Sequence, residues 1–520
     1  MKKPLSSVTF HGLVASLLTT LLMAASLSLG CTTEPESADP LPHELPPPGD
    51  EGKYDNYVST NAREFDLMGT AHVVLPEDFS TREEEDQAAM LDRMVERRLS
   101  VVARSLERHV DAIIDESNGD ITGEDAQWFV YFKRDNAQAE LPRVLEDGRA
   151  AFDFQVEFVG SYYLMSKVAP EAGTHRTFDM EVKEWGETEG EKISVEIKGS
   201  ESRDAFPKYN ELFADGVYDI AVHFGGDYNE ERFDLDTAKW LVEMLIEDGW
   251  SNESVTSFED LTIDSPPFIQ PVVVEGKEVE VQVYIYHSDM VTSDEEYLLS
   301  DAMKTSLAER DVVIYSGHAG SNAGFILDYQ PRHEIDNDEF AGLELAEKYQ
   351  IYVFDGCQTY RTYVDDLMEN PKKTFDNVDI VTTVNTTPFG AGYQVLFEFV
   401  YWFTLTDREG THFPMSWMTI LRAINTEDFR SVHYGVHGVD NDPQLNPHAS
   451  EGIACQPCET DADCGAGGNF CLGYSGGAAC GVACTTDTAC PDGYRCARLY
   501  DDPDLFYLPK QCVRRDYICQ

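Results

Sequence analysis

Val312-Val313-Ile314-Tyr315-Ser316-Gly317-His318-Ala319-Gly320 and Ile351-Tyr352-Val353-Phe354-Asp355-Gly356-Cys357-Gln358-Thr359 each run apolar without interruption and then break into glycine beside a reactive side chain. A strand apolar at every position is buried on both faces, as in a parallel sheet with helices on each side. In open α/β sheets, sites form outside the carboxyl ends of the strands, which is where His318 and Cys357 stand. The 39 positions from His318 to Cys357 suit a crossover helix returning to a neighbouring strand. Adjacent strands lie about 5 Å apart, so the two side chains can converge on one bond.

The same rhythm extends outward. Tyr218 to Phe224 and Val281 to Tyr286 read as strands, and Thr237 to Glu247 reads as a helix closed by Gly249. Tyr297 to Leu307 is a second helix, stretches near Glu339 to Tyr349 and Thr362 to Met368 are two more, and Ile380 to Val384 is a further strand. Residues 215–450 therefore read as an α/β domain with a mostly parallel sheet flanked by helices. No phosphate-binding glycine pattern follows any of these strands, which argues against a nucleotide fold.

Residues 61–205 have a different pattern. Thr81 with Glu84 reads as a capping box, and Leu91, Val95, Leu99, Val102, Leu106, Val110 and Ile113 recur at spacings of three and four, marking one long amphipathic helix. His72 to Leu75, Trp128 to Phe132, Phe152 to Val159, Phe178 to Val182 and Ile193 to Ile197 read as strands, giving an α+β domain.

The chain of 520 residues opens with Lys2 and Lys3, then an uncharged apolar run from Leu13 to Leu29, then small residues before Cys31. That order is a signal for export over residues 1–30, too short for a comfortable membrane span. Ser26-Leu27-Ser28-Leu29-Gly30-Cys31 resembles a bacterial lipobox, which implies a lipid on Cys31 and a place in the cell envelope; simple secretion, with cleavage near Ala25, is the alternative. Residues 31–60, with Pro40, Pro42, Pro46, Pro47 and Pro48 among acids, read as an extended tether. A formal charge of −56 excludes nucleic acid as a natural partner.

Of 12 cysteines, ten fall between Cys455 and Cys519: Cys455, Cys458, Cys464, Cys471, Cys480, Cys484, Cys490, Cys496, Cys512 and Cys519. An even number in a short, Gly-rich and Asp-rich stretch of an exported chain implies a module at 455–520 stapled by up to five disulfides, with the pairing left open. Cys455-x-x-Cys458 lacks the second pair a zinc site needs. The pattern resembles the Cys-rich modules that close many myxobacterial surface proteins. With Cys31 set aside for the lipid, Cys357 is the one cysteine left outside this group.

Tyr-Ser-Gly-His at 315–318 followed by Asp-x-Cys at 355–357 resembles the caspase-fold cysteine peptidases, among them metacaspases, gingipains, clostripain and legumain. Val439-Asp440-Asn441-Asp442-Pro443 is similar to the Gly-Asp-Pro that closes many gingipain-type domains. The resemblance implies Cys357 as nucleophile, His318 as the acid that protonates the leaving amine, and backbone N–H groups at Cys357 and Ala319 holding the oxyanion. It also implies Asp355 as a pocket carboxylate for a substrate Arg or Lys. The family has glycine directly after the histidine where this chain has Ala319, which bears on the oxyanion site if that position needs a glycine conformation. The implied substrate is a protein or peptide, and no cofactor is required.

Asp336, Asn337, Asp338 and Glu339 are spaced to hold calcium, although as the first turn of a helix they need no ion. His433 and His437, with Asp440 and Asp442, have metal spacing, but Gly435 and Gly438 favour a loop. His223 and His287 read as satisfied structural histidines. Two rivals to a peptidase stand beside it: a surface binding or adhesion lipoprotein on an inactive scaffold, and a self-processing factor.

Overall fold

The computed structural model describes residues 57–519 except 117–129, 133–136, 141, 162–175, 185–188, 200–202, 320–323, 330, 388, 426–431, 501 and 503–504. The signal, Cys31 and nearly all of the tether lie outside the described residues.

The centre is an eight-stranded sheet: β1 (Val58–Ser59), β2 (Val217–Phe224), β3 (Phe268–Val274), β4 (Lys277–Tyr286), β5 (Val312–Ser316), β6 (Gln350–Asp355), β7 (Val378–Thr383) and β8 (Tyr434–His437), in the order β1-β8-β7-β6-β5-β2-β4-β3. The five central strands from β7 to β4 are parallel, and β8 and β3 run antiparallel at the flanks. β5 and β6 pair directly, with Ser316 opposite Asp355, so the two quoted segments end side by side.

Alternate strand residues feed two cores, because successive side chains point to opposite faces. On one face Ile220, Val222, Val312, Ile314, Ile351 and Val353 pack with Leu241 and Leu245 of α1 (Phe233–Glu247), Val395 and Phe399 of α2 (Phe389–Thr404), and Trp417 and Leu421 of α3 (Trp417–Ile424). On the other, Val313, Tyr315, Tyr352 and Phe354 meet Met303 and Leu307 of a helix at Tyr297–Glu309, and Tyr363 and Leu367 of the helix Thr359–Met368 that follows β6. Each fully buried Leu, Val or Phe contributes about 1.5–3 kcal/mol, so this three-layer core holds the strand ends in register.

Two expectations need correction. Among its described residues the crossover from β5 to β6 contains no α-helix: they fold as an antiparallel hairpin, Phe325–Tyr329 with Arg332–Ile335, and a 3₁₀ turn at Asn337–Gly342. Phe340, Leu345 and Tyr349 are the buried apolar residues there, and a gap of five between the first two cannot line one helical face. The tether also ends earlier than residue 60, since Val58 and Ser59 already pair with β8.

The α+β region forms a separate antiparallel sheet around two 13-residue strands, Ala62–Val74 and Arg149–Ser161, flanked by Arg176–Val182 and Glu191–Gly199. A 33-residue helix, Glu84–Glu116, covers one face, burying Leu91, Val95, Leu99, Val102, Leu106 and Val110, with Ile113 half-buried beside them. Thr81 is not its cap: it ends a 3₁₀ turn, and its hydroxyl donates to the Asp78 carbonyl.

The C-terminal stretch contains five disulfides: Cys455–Cys519, Cys458–Cys471, Cys464–Cys480, Cys484–Cys496 and Cys490–Cys512. Its short strands enclose only a small apolar cluster around Val482, and cross-links worth about 2–4 kcal/mol each make up the difference. Among the described residues, no helix is long and apolar enough to cross a membrane.

Candidate active site

The segment after β5 is held by Tyr315. Its buried hydroxyl lies 2.7 Å from the His318 carbonyl and accepts the Ile326 N–H at 3.0 Å. Gly317 is required here: a Cβ would stand 2.7 Å from that hydroxyl and 2.8 Å from Gly225 Cα. Backbone and ring therefore fix where His318 emerges.

His318 sits between three side chains. Its Nε2 is 3.2 Å from Asp227 Oδ1, Tyr228 stacks on the ring at 4.7 Å, and Tyr329 meets it edge-on at 5.3 Å. Asp227 follows the end of β2, and its Oδ1 also accepts the backbone and side-chain N–H groups of Asn229. A carboxylate on one ring nitrogen fixes the imidazole's orientation.

Cys357 stands on the tight turn between β6 and the helix Thr359–Met368. Gly356 lets that turn approach the His318 segment, because a Cβ there would lie 2.7 Å from Ala319 Cβ and 2.9 Å from the Gly317 carbonyl. Gln358 takes a left-handed conformation, φ 56°. The turn is tied down from the β7 side: Thr383 and Thr387 hydroxyls donate to the Gly356 carbonyl, and the Gln358 N–H donates to the Asn385 carbonyl at 3.0 Å. The half-buried Cys357 thiol faces the Thr387 carbonyl at 4.0 Å. Burial, with added repulsion from Asp355, pushes the thiol above its ordinary range.

Asp355 is buried at the end of β6, accepting hydrogen bonds from Ser316 and Tyr434 hydroxyls at 2.7 Å each. Burial raises its carboxyl despite both. Its place beside Ser316 explains the serine in the motif.

A cavity of ≈ 230 Å³ opens in front of these groups, lined by Ser316, Gly317, His318, Asp355, Cys357 and Thr387 together with Phe224, Tyr228, Asp234 and Thr237. Asp234 is held by both Arg232 nitrogens, at 2.9 and 3.0 Å, and burial raises its carboxyl against that pairing. The side chains of His318 and Cys357 thus share one cavity. Ala319 packs against Gly356 and is not one of the described non-glycine residues with positive φ; Gly320 lies outside the described residues.

Sequence reasoning missed Asp227, Tyr228 and Thr387. The first two follow the carboxyl end of β2, and Gly225-Gly226-Asp227-Tyr228-Asn229 reads simply as a turn; the rule that sites gather at this edge was the available signal.

The other candidates fall elsewhere. His223 Nε2 pairs with Ser306 Oγ at 2.9 Å, and burial lowers its pKa to about 3. His287 departs from expectation, since both of its buried ring nitrogens lack a hydrogen-bond partner among the described residues, and burial lowers its pKa to about 4. His433 and His437 are buried, and His437 lies in strand β8 where a loop was expected. Gly435 permits that strand by leaving room for the Tyr57 ring, 2.2 Å from where a Cβ would stand. Asp440 belongs to a 3₁₀ turn, Val439–Asn441, and Asp442 accepts the Trp417 indole N–H at 3.2 Å. Asp336 caps the Asn337–Gly342 turn, in which Asn337 donates to Asp366 and Glu339 pairs with Lys304.

No protein-family model matches the chain, and no curated protein matches it. A solved structure described as "Structure of Protease" is similar over 61% of this chain and 65% of that one, less than two thirds of its length, at 11% identity and a TM-score of 0.27.

Proposed function

We propose that the chain is an extracytoplasmic, lipid-anchored cysteine endopeptidase of caspase-like fold, acting through His318 and Cys357. The observation that carries this reading is that a free thiol and an imidazole, from the ends of adjacent parallel strands, line the same cavity while Asp227 holds the imidazole.

As Cys357 Sγ attacks the scissile carbonyl its proton passes to His318, which gives it to the departing amine as the C–N bond breaks and a thioester remains. Water then hydrolyses the thioester and frees the acid. Backbone N–H groups at Cys357 and Ala319 stabilise the oxyanion, each well-placed donor contributing about 3 kcal/mol. Asp355 and Asp234 line the cavity with acid, which suits a basic side chain before the cut bond. Export suits the five disulfides, which persist in an oxidising compartment, and Cys31 supplies the anchor. Calcium, if used, belongs near Asp336, Asn337, Asp338 and Glu339.

One observation favours a second reading, a surface binding protein on the same scaffold. The Cys357 thiol is half-buried and raised, so it is not a standing thiolate.

The deciding experiment presents a mixed peptide library to a form starting after Pro48, with and without calcium, beside Cys357→Ala. Cleavage after Arg or Lys that the variant loses supports the peptidase and its acidic pocket. Cleavage after other residues removes the pocket, and no cleavage with an unreactive Cys357 leaves the binding protein.

A further inference from the structure

The separate α+β domain touches the central domain at one place of consequence. Tyr57, Ala62, Val159, Tyr360 and Val384 form a buried cluster of their own. Ala62 and Val159 come from the N-terminal sheet, and Tyr57 from the segment entering β1. Tyr360 stands three residues after Cys357, and Val384 precedes the Asn385 and Thr387 that tie down the nucleophile turn. Polar contacts reinforce the cluster. Tyr360 donates its hydroxyl to Glu157 of the N-terminal sheet at 2.7 Å, with Glu157 only 6% exposed. The Tyr57 hydroxyl donates to the His433 carbonyl at 3.2 Å, the His433 N–H donates to Asn385 Oδ1 at 2.9 Å, and the Asn385 carbonyl receives the Gln358 N–H at 3.0 Å. The Tyr57 N–H in turn donates to Glu64 Oε2 of the N-terminal sheet at 3.1 Å, so two routes run from that sheet to the residues beside Cys357, one through the helix after it and one through Tyr57 and the loop beneath it.

We propose that the N-terminal domain positions the nucleophile turn through Tyr57, Glu157 and Tyr360, so that the domain is a working part of the site. Tyr57, Glu157 and Tyr360 are positioning residues: none of them lines the cavity among the described residues. Only the hydrolytic readout rests on the peptidase reading; the placement of the thiol does not.

In the form starting after Pro48, Cys357 is the one cysteine outside the five disulfides, so iodoacetamide reports on it alone. Glu157→Ala and Tyr360→Phe are each expected to change the labelling rate of Cys357 severalfold in the folded protein. Both lower kcat for peptide hydrolysis by about tenfold to a hundredfold, as small misplacements of a reacting group do, with KM nearly unchanged. Glu157→Gln, which keeps a carbonyl oxygen for Tyr360, restores most of both. The effects of Glu157→Ala and Tyr360→Phe combined fall short of their sum, because they break one hydrogen bond. Near-UV circular dichroism and melting verify that each variant is folded, and Tyr360→Phe, which keeps the ring in its cluster, is the variant to rely on if Glu157→Ala unfolds. Labelling and kcat within twofold of the parent in folded Tyr360→Phe would overturn the proposal. A parent that labels but does not hydrolyse defeats the peptidase reading, and the labelling rates then decide this inference by themselves.

Discussion

Both edges of the central sheet bury acids, and at one of them the acids line an open cavity. At the carboxyl edge Asp234 and Asp355 line a cavity with His318 and Cys357, and Asp227 backs the histidine. At the amino edge Asp379 and Asp442 lie against each other, closed in by the Tyr349 hydroxyl at 2.6 Å, the Trp417 indole N–H at 2.8 Å, and Lys208 Nζ at 3.8 Å. Burial and mutual repulsion raise the Asp442 carboxyl well above its ordinary range, and burial raises Asp379. The same side chain faces a cavity at one edge and closes a packed cluster at the other.

The largest effect separating the edges is expected from Asp227→Ala. Losing the group that orients His318 should reduce kcat about 10³-fold, roughly 4 kcal/mol of barrier, while melting stays within a few degrees; a kcat within tenfold of the parent breaks the contrast. Asp442→Ala should do the reverse. It removes the carboxylate that pairs with the buried Lys208 ammonium, while the Trp417 N–H keeps Asp379, at a cost of about 3 kcal/mol in stability, with kcat per folded molecule unchanged, as denaturant titration alongside kinetics will show.

Acid and alkali should pull on different edges. His223 and His287 have native pKa values lowered to about 3 and about 4, so each contributes stability that is complete above its ordinary value near 6.5 and is lost as pH falls toward those values. Asp379 and Asp442 are raised, so their contribution is complete below the ordinary carboxylate range and is lost as pH climbs. Melting curves across pH should show His287→Phe flattening the acid limb and Asp442→Asn the alkaline one; both variants flattening the same limb would refute the assignment. The smallest effect is at Asp355, which adds to the rise of the Cys357 thiol after burial does. Asp355→Asn should shift the pH midpoint of Cys357 alkylation downward by less than about one unit, and an unchanged midpoint would show that desolvation alone governs the thiol.

That His318 and Cys357 stand side by side was legible because each follows a continuously apolar strand, a pattern that marks both a buried strand and its edge. The long helix of the N-terminal domain was legible for a similar reason, its apolar positions holding to a helical period over 33 residues. The crossover was not, since Glu339 to Tyr349 is helix-prone by composition while its buried residues have no helical spacing. β8 was hidden by Gly435, whose place in a strand depends on a Tyr57 ring nearly 380 positions away in the chain. Asp227 was hidden because its function needs a partner on another strand, and no local pattern encodes that pairing. The five cysteine pairs were foreseeable in number but not in connectivity, which only the folded path sets.

The ends of the eight-stranded sheet bear on how the molecule behaves in a crowd. On one side the last strand, Val58–Ser59, is only two residues long. On the other, β3 contains Pro271 and is overlaid by the 407–412 loop, with Val273 exchanging hydrogen bonds with Gly410 and His412. A neighbouring chain therefore finds few unpaired backbone groups on which to stack a further strand. With a formal charge of −56 repelling every approach, concentrated solutions should scatter light as single particles, and adding salt should bring molecules closer without recruiting them into fibres.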